Sequence, residues 1–414
     1  MVMSDDGCLH CVCVLALYRV VHKKSFRPTP PARRSLARRS GVISSSVARN
    51  TGRCLAQLLF LDHPVPNRTG ITMTNNAVSN PHYVSTPNEF LVPHKGSSHI
   101  SKVQYTHEQD KKWLAVSSWD GTVRIYDIVP PNQSVEMRVQ KHTSAVLACT
   151  FASNNKVMSG GLGRQVTSID VRTGSESKLG SHLDAIRVME YCQETDLVVS
   201  GSWDNTVKFW DARSLAPAGT TDVGDKVYAL DVKKGRCVVG TKDRKVHIFD
   251  MRNLRQPEQV RDSPLKYQTR SISCFPTGEA FVISSIEGRV AVEYFDMNPD
   301  VQKDKYAFKC HRVRDESGLE QIFPVNALTF HPIHTTFASG GSDALVNIWD
   351  PFARKRLYQF HKFPTSISSL SFSADGSQLA IGSTYLFETD VRPNPMPEST
   401  VTIRKIVETE TKVR

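Results

Sequence analysis

The sequence has no apolar run long enough to cross a bilayer. The apolar segment at residues 8–21 is shorter than the ~20 residues that a membrane-spanning helix needs. A signal peptide would carry positive charge before such a segment, but Asp5 and Asp6 stand there instead. A secreted or membrane-bound protein is therefore not expected.

Cysteines are few and show no pairing pattern. Cys8, Cys11 and Cys13 have ligand-like spacing with His10, but no second pair of ligands follows at the distance found in a zinc finger. The cysteines further along are single, which favours buried free thiols over a disulfide framework. These five are Cys149, Cys192, Cys237, Cys274 and Cys310.

Motifs of catalysis and nucleotide binding are also missing. The chain has no nucleophile elbow, no phosphate-binding loop and no recognisable pair of carboxylates. The glycines of SGGLGRQ (residues 159–165) precede a predicted strand, whereas a nucleotide loop would open a helix. The sequence therefore predicts a non-enzymatic protein without a cofactor.

Excess charge is confined to the N-terminal part. Residues 1–98 carry 12 Lys/Arg against 4 Asp/Glu, and the remainder carries 40 against 37. Because residues 99–414 are nearly neutral, the sequence argues against RNA binding through an overall positive electrostatic field.

Residues 23–53 are rich in Arg and Ser and contain no acidic residue, which fits a transit peptide, a disordered basic tail or residues upstream of the true start. We expect residues 1–87 to form a disordered or atypical basic extension.

What the chain does contain is a repeat. Six alternating apolar runs each end on an aspartate, and these aspartates lie 43, 41, 39, 46 and 54 residues apart. A period of roughly 40 to 45 residues with a terminal Trp-Asp is the WD40 signature, in which each repeat forms one propeller blade. The closing residues are Asp127, Asp170, Asp211, Asp250, Asp296 and Asp350.

Seven short alternating strands open these repeats, one more than the number of aspartate-closed ends. They begin at His99, Ser144, Ala185, Lys226, Arg270, Val325 and Ser366. Residues 378–383 (QLAIGS) and 401–406 (VTIRKI) supply the seventh end. The sequence therefore predicts an all-β, seven-bladed WD40 β-propeller over residues 88–407, followed by a tail at 408–414.

The third repeat carries the side chains of a structural network. His182, Asp204 and Trp210 resemble the hydrogen-bonded His, Asp and Trp of well-formed WD40 blades. The second repeat departs from this pattern, because Gly163 stands where the turn aspartate would be and Ile169 where the tryptophan would be. We expect that blade to be less rigid.

Several segments are more specific than a generic repeat. They are SPLKYQTR (263–270), SSIEGRVAVEYFD (284–296), KYAFKCHR (305–312) and residues 324–352, which end in WDPF. With them, residues 97–407 closely resemble the WD-repeat spindle-assembly checkpoint proteins, which carry checkpoint kinases to kinetochores. The N-terminal ~90 residues lie outside this resemblance.

The resemblance implies a non-enzymatic adaptor in the nucleus and at the kinetochore, with a cytoplasmic pool. Its implied partners are a checkpoint kinase and its pseudokinase-like paralogue, bound through an acidic motif, a phosphorylated kinetochore scaffold, and the mitotic checkpoint complex. Ubiquitin binding belongs to the same set of expectations.

Acidic and phosphorylated peptides need fixed cations, and arginine offers a bidentate fork to carboxylate or phosphate. Arg270 and Arg289 are expected to converge at one end of a blade, with Lys266 nearby.

Trp119 and Trp203 precede the turn aspartates and are expected to be exposed interface anchors. Packing between blades is the alternative for the tryptophans, and an ion pair to Glu287 or Glu293 is the alternative for Arg289. Tyr267 either contacts the peptide or packs under the arginine.

A related family, the WD-repeat messenger-RNA export factors, shares the EGRVA and FKCHR segments. This chain has Tyr267, Val292-Glu293-Tyr294 and Asp350-Pro351-Phe352, which favour the checkpoint family. The alternative function is therefore an export adaptor that binds an acidic nucleoporin motif and RNA.

Overall fold

The computed structural model describes residues 86–94, 98–153, 155–214, 216–387 and 393–413. The basic extension predicted for residues 1–87 lies outside this range except for residues 86 and 87. The N-terminal Cys/His group lies outside it as well.

The strands form seven four-stranded antiparallel sheets arranged as blades, so the predicted seven-bladed propeller is confirmed. Strand β1 (Glu89–Val92) is the first strand of the described residues. Blade 1 contains β2 (Ile100–Tyr105), β3 (Trp113–Ser118), β4 (Thr122–Val129) and β5 (Gln133–Lys141). Blade 2 contains β6 (Val146–Phe151), β7 (Lys156–Gly161), β8 (Gln165–Asp170) and β9 (Glu176–Ser181). Blade 3 contains β10 (Ile186–Cys192), β11 (Leu197–Ser202), β12 (Thr206–Asp211) and β13 (Pro217–Asp222). Blade 4 contains β14 (Val227–Lys233), β15 (Arg236–Thr241), β16 (Lys245–Asp250) and β17 (Gln259–Asp262).

Blade 5 contains β18 (Thr269–Cys274), β19 (Ala280–Ser285), β20 (Arg289–Tyr294) and β21 (Tyr306–Lys309), with helix α1 (Pro299–Gln302) before its last strand. A separate hairpin follows, made of β22 (Arg312–Arg314) and β23 (Glu320–Ile322). Blade 6 contains β24 (Val325–Phe330), β25 (Phe337–Gly341), β26 (Val346–Asp350) and β27 (Lys355–Gln359). Blade 7 contains β28 (Ile367–Phe372), β29 (Gln378–Ser383), β30 (Thr400–Lys405) and the early strand β1. Helix α2 (Glu408–Thr411) ends the described chain.

The core lies between neighbouring blades, because each sheet is covered on both faces. The second strand of blade 1, WLAVSS, is buried at every position, while the outermost strand of blade 3 is mostly exposed. Between blades 3 and 4, Phe209 and Phe249 meet edge to face at 6.2 Å in a cluster that also holds Val199 and Val239. Continuous apolar runs therefore occupy the inner strands, as sheets buried on both faces require.

Every innermost strand has a β-bulge at the same place. In blade 5 the register shifts between Thr269 and Ser271, and the other six blades show the same shift one residue into the strand. A bulge re-aims the side chain of its extra residue. The seven residues at these bulges, here called the bulge ring, are Ser101, Leu147, Arg187, Tyr228, Arg270, Asn326 and Ser368.

The first and last strands of the described residues close the propeller. Strand β1 pairs antiparallel with β30, with Glu89 opposite Arg404. The buried Arg404 guanidinium forms ion pairs with Glu89 and with Glu410 of α2, and stacks over Phe360 at 4.1 Å. His361 Nε2 lies 2.8 Å from the second oxygen of Glu89. A buried arginine held by two carboxylates thus fixes the joint between the two ends of the described chain.

The network expected in blade 3 is present as hydrogen bonds. The indole N–H of Trp210 donates to Ser200 Oγ at 2.7 Å, Ser200 Oγ lies 2.7 Å from His182 Nε2, and His182 Nδ1 lies 3.0 Å from Asp204. Blade 6 has the same arrangement in Trp349, Ser339, His311 and Asp343.

The five cysteines in the repeats are free and buried, as predicted. No helix among the described residues is long and apolar enough to span a membrane.

Candidate functional site

All six residues predicted to bind peptide lie at one face of the propeller. This top face is built from the turns between second and third strands and from the connections between blades. Antiparallel pairing brings these parts together, since Thr269 lies opposite Ser285 and Ser285 opposite Arg289. The face carries Trp119, Trp203, Lys266, Tyr267, Arg270 and Arg289.

The bulge ring surrounds the mouth of a central channel. All seven ring residues line a cavity of about 380 Å³ that runs through the channel. Six of them also border a smaller cavity of about 60 Å³ at the mouth, together with Trp119, Trp203 and Leu386. The structure thus brings both tryptophans together with Arg270.

The expectation of two exposed tryptophans is wrong for Trp203, which is 9% exposed. It packs in a small apolar cluster with Leu147, Ala185 and Tyr228, against which the half-buried Trp119 also packs. Lys226 Nζ lies 5.6 Å above the Trp203 ring. Packing between blades, the alternative interpretation, therefore describes Trp203, although one edge of the residue still borders the mouth cavity.

Two arginines of the bulge ring flank a tyrosine. Arg187, Tyr228 and Arg270 come from the innermost strands of blades 3, 4 and 5, so they lie side by side around the mouth. Burial lowers the pKa of Arg187, and burial raises the pKa of Tyr228 although both arginines oppose that rise. An arginine remains charged in either case. The mouth therefore presents two partly desolvated positive charges.

Arg270 is held in place by blade 6. Its Nε and Nη2 atoms lie 3.4 and 3.2 Å from Asn326 Oδ1. The Asn326 amide in turn donates to Ser342 Oγ and to the carbonyl oxygen of Ile367. This arrangement fixes one side of the guanidinium group relative to the channel mouth.

Arg289 lies further out than expected. One strand, β19, lies between Arg289 and Arg270, and the two interstrand spacings correspond to about 10 Å between backbones. Its Nε atom contacts Glu287 at 3.3 Å, and Arg289 lines neither cavity of the channel. The predicted convergence with Arg270 is not found in the cavities, and the alternative ion pair to Glu287 is present.

The loop between β17 and β18 adds a charge on the same face. Lys266 is exposed and Tyr267 is half-buried, while Leu265 between blades 4 and 5 is buried and anchors the loop. Beside Arg289, Arg312 donates to Glu320 at 2.8 Å and to the carbonyl of Glu287 at 2.7 Å. The outer cation group, which we define as Lys266, Arg289 and Arg312, is thus separate from the arginines at the mouth.

Sequence reasoning missed Arg187 and Tyr228. Both occupy the second position of an innermost strand, the position that Arg270 holds in blade 5. Aligning the seven strand starts would have placed the three residues in one ring. The bulge that turns them toward the channel leaves no mark in an alternating pattern, so their direction was not predictable.

Deeper in the channel, charges from different blades meet. Lys102 of blade 1 forms an ion pair with Glu190 of blade 3, and its Nζ atom donates to the Met189 carbonyl at 2.9 Å. Burial raises the pKa of Glu190 to about 7, although Lys102 opposes the rise. The channel below the mouth is therefore lined by ionisable groups.

Comparison with known proteins gives both a fold and relatives. The profile of the WD domain, G-beta repeat family matches residues 86–127, 174–211 and 318–350. The chain is 52% identical over 332 residues to the mitotic checkpoint protein bub-3 of Caenorhabditis elegans, covering 80% of this chain and 97% of that protein. It is 44% identical to the mitotic checkpoint protein BUB3.1 of Arabidopsis thaliana, over 76% of this chain and 92% of the relative.

A relative with another name is more distant. The mRNA export factor GLE2 of Chaetomium thermophilum is 37% identical, over 66% of this chain and 77% of that protein. Among solved structures, that of U3-55K superposes with a TM-score of 0.66 at 20% identity, covering 77% of this chain and 98% of the other. This last likeness concerns the fold alone.

Proposed function

Because the chain belongs to the Bub3 family of mitotic checkpoint proteins, whose members are non-enzymatic WD40 scaffolds, we propose that it recruits checkpoint kinases to unattached kinetochores. In this proposal it binds an acidic motif of a checkpoint kinase and of its pseudokinase-like paralogue. It also binds phosphothreonine repeats of a kinetochore scaffold and joins the mitotic checkpoint complex. It acts in the nucleus and at the kinetochore, with a cytoplasmic pool.

The observation that supports acidic-motif binding is the pair of arginines at the channel mouth. Arg187 and Arg270 border the same small cavity as Trp119 and Trp203. A peptide with two acidic side chains could place its carboxylates on the guanidinium groups and an apolar side chain on the indoles. Each charge-assisted hydrogen bond contributes ~1.5–3 kcal/mol where water is partly excluded.

The outer cation group supports phosphothreonine binding beside that site. Lys266 is exposed at the rim, and 32% of the Arg289 side chain is exposed. A phosphate carries nearly two negative charges at neutral pH, so it competes with Glu287 for Arg289. Tyr267 lies next to Lys266 in the same loop and can pack against the peptide chain. We therefore assign the two peptide classes to two neighbouring groups of cations.

Isothermal titration calorimetry with single charge reversals tests this division. Arg270→Glu is expected to weaken binding of the kinase acidic-motif peptide at least tenfold, and Arg289→Glu to weaken binding of the phosphothreonine peptide by a similar factor. Arg213→Glu is the matched control, because Arg213 is exposed and pairs with Asp211 at the β12–β13 turn, which lies at the end of blade 3 opposite the top face. If neither peptide binds the wild-type protein, or if the control weakens binding equally, the proposal fails.

The likeness to an mRNA export factor supports one alternative function. An export adaptor would bind an acidic nucleoporin motif at the same mouth and would also bind RNA with a steep salt dependence. Filter binding of single-stranded RNA between 50 and about 200 mM salt distinguishes the two. Phosphate-dependent peptide binding without RNA binding supports the checkpoint adaptor.

A further inference from the structure

Blade 2 has a cavity of its own on the top face, away from the channel. It measures about 230 Å³ and is lined mostly by polar residues from the connection between blades 1 and 2, the β7–β8 turn and strand β9. The lining includes His142, Thr143, Gly163, Gln165 and Lys178. None of the residues predicted to bind peptide lines it.

The corresponding position in blade 3 is filled by a carboxylate. Asp204 lies 3.0 Å from His182 Nδ1 and accepts the backbone N–H of Leu183 at 2.8 Å. It also accepts the backbone N–H of Thr206 at 3.0 Å and the Thr206 hydroxyl at 2.6 Å. Blade 6 repeats the central contact, with His311 Nδ1 2.8 Å from Asp343. A carboxylate is therefore the group that this turn and this histidine hold.

Blade 2 keeps the shape of the turn without the carboxylate. Arg164 has φ +64° and Asn205 has φ +67°, so the two turns share their left-handed residue, and Gly163 takes the place of Asp204. His142 keeps the orientation of its counterpart, because its Nε2 atom lies 2.9 Å from Ser159 Oγ. Its Nδ1 atom therefore faces the cavity, as His182 Nδ1 faces Asp204.

Other donors follow from the same equivalence. Thr143 follows His142 as Leu183 follows His182, and Gln165 follows the left-handed residue as Thr206 does. Their backbone N–H groups thus occupy the positions of two donors to Asp204. Two backbone donors of the carboxylate site therefore remain in blade 2. Because Ser159 Oγ donates to Gln140, the His142 Nε2–H donates to Ser159, and Nδ1 becomes a third donor when the imidazole takes up a proton.

The charges around the cavity favour an anion. Lys141 and Lys178 line it and Arg164 lies in the adjoining turn, whereas Glu176 is the acidic residue of the lining. These cations are exposed, and none forms an ion pair with another described residue. Positive charge with fixed N–H donors is the composition of an anion site.

We propose that this cavity binds the carboxylate of an aspartate or glutamate that a partner polypeptide presents, at the position of the turn aspartate in blades 3 and 6. A polypeptide is the source because the cavity is open to solvent and its lining residues are mostly polar, whereas small-ligand sites are enclosed and mostly apolar. The inference does not depend on the proposed function, whose residues lie elsewhere on the face.

Nuclear magnetic resonance of the full chain with ¹³C-labelled histidine tests the proposal, with His142→Gln used to assign the signals. The probes are acetyl-Gly-Asp-Gly-amide, the matched acetyl-Gly-Asn-Gly-amide, and acetate. We expect the Asp peptide to shift the His142 signals. The Asn peptide should bind about tenfold more weakly, because it loses one charge-assisted hydrogen bond. Equal binding of the Asp and Asn peptides would overturn the proposal. Acetate binding as tightly as the Asp peptide would overturn the assignment to a polypeptide.

Filling the site from within provides the second test. A Cβ atom built at Gly163 has its nearest neighbour at 3.8 Å, so a side chain fits there. Gly163→Asp is expected to raise the melting temperature and to abolish the His142 shift, because the new carboxylate takes the site. Gly163→Ala is the matched control and should retain peptide binding. If Gly163→Asp binds the Asp peptide as the wild-type protein does, the cavity is not the site.

Lys178→Glu, which reverses a charge at the rim of the cavity, should weaken binding of the Asp peptide and provides an independent check.

Discussion

At the scale of the residue, a single hydroxyl group organises each well-formed blade. Ser200 connects Trp210 to His182 in the interior, and Ser339 does the same in blade 6. In blade 2, Ser159 contacts His142 and donates to Gln140 at 2.9 Å, so its second partner is a glutamine where blade 3 has a tryptophan.

The His, Asp and Trp of blade 3 were recognisable from the sequence because they lie at fixed offsets from the strands. The role of Gln140 was not, because its strand belongs to the preceding blade.

We predict that Ser200→Ala lowers the free energy of unfolding by about 2–4 kcal/mol, since it leaves the buried Trp210 N–H and His182 Nε2 without their shared partner. Ser159→Ala is the comparison and should cost less, about 1–2 kcal/mol, because it leaves one buried acceptor, Gln140 Oε1, without its donor, whereas the half-buried His142 can contact water. Chemical denaturation of both variants measures the difference. Equal losses would show that the hydrogen-bond network of blade 3 contributes no more to stability than the contacts of Ser159 in blade 2.

The arginines show where residue-scale reasoning stops. Arg270 and Arg289 were placed correctly on blade 5 because strand alternation and turn positions follow from the sequence. Their separation was not predictable, since it depends on which strand lies innermost and on a bulge that rotates Arg270 toward the channel. Charge type can be read from a sequence, but the direction of a side chain at a bulge cannot.

At the scale of the element, the inner strands were predicted well and the outermost ones less well. All seven predicted innermost strands are present, because they are apolar, short and bounded by turn residues. Strand β1 was not foreseen: its four residues, EFLV, lack alternation and find their partner at the other end of the described chain. The chain between β20 and blade 6 forms the outer strand β21 and the β22–β23 hairpin, which the aspartate-closed repeat pattern does not predict.

The joint between β1 and β30 gives an element-scale prediction. Glu89→Ala should lower the free energy of unfolding by about 3 kcal/mol, because Arg404 is 5% exposed and would keep only Glu410 as its carboxylate partner. Glu408→Ala, which removes the exposed pair to Lys412, should cost less than about 0.5 kcal/mol. Thermal unfolding followed by calorimetry compares the two variants. A similar loss in both would mean that the buried pair does not hold the ring closed.

At the scale of the whole molecule, burial of neutral histidines couples stability to pH. Burial lowers the pKa of His94, His107 and His331 to about 4, so these groups are neutral in the folded protein near pH 6. In the unfolded chain they take up protons below about pH 6.5. The unfolded state therefore binds more protons between pH 6.5 and 4, and stability falls as the pH falls through this window. Glu190 acts in the opposite direction, since its raised pKa makes the folded state bind the extra proton between about pH 4.5 and 7.

We predict that His107→Gln reduces the slope of unfolding free energy against pH by about one proton, or about 1.4 kcal/mol per pH unit, between pH 5 and 6. Burial is the main cause of the lowered pKa of His107, and Lys233 and Lys102 add to it. Glu190→Gln should make the slope steeper by a similar amount. Urea denaturation at several pH values measures both. Parallel pH profiles for His107→Gln and the wild-type protein would show that His107 is not responsible.

Closure of the ring by its two ends has a consequence for biosynthesis. Glu89 meets Arg404 across 315 positions of the chain, so β1 leaves the ribosome long before its partner strand has been made. During that interval the nascent chain carries an unpaired strand and an apolar blade edge, which are surfaces prone to aggregation. A chain that ends before β30 lacks the strand that joins β29 to β1 in blade 7, so its ring of blades cannot close as it does here. Closure of this propeller therefore waits until β30 has been translated.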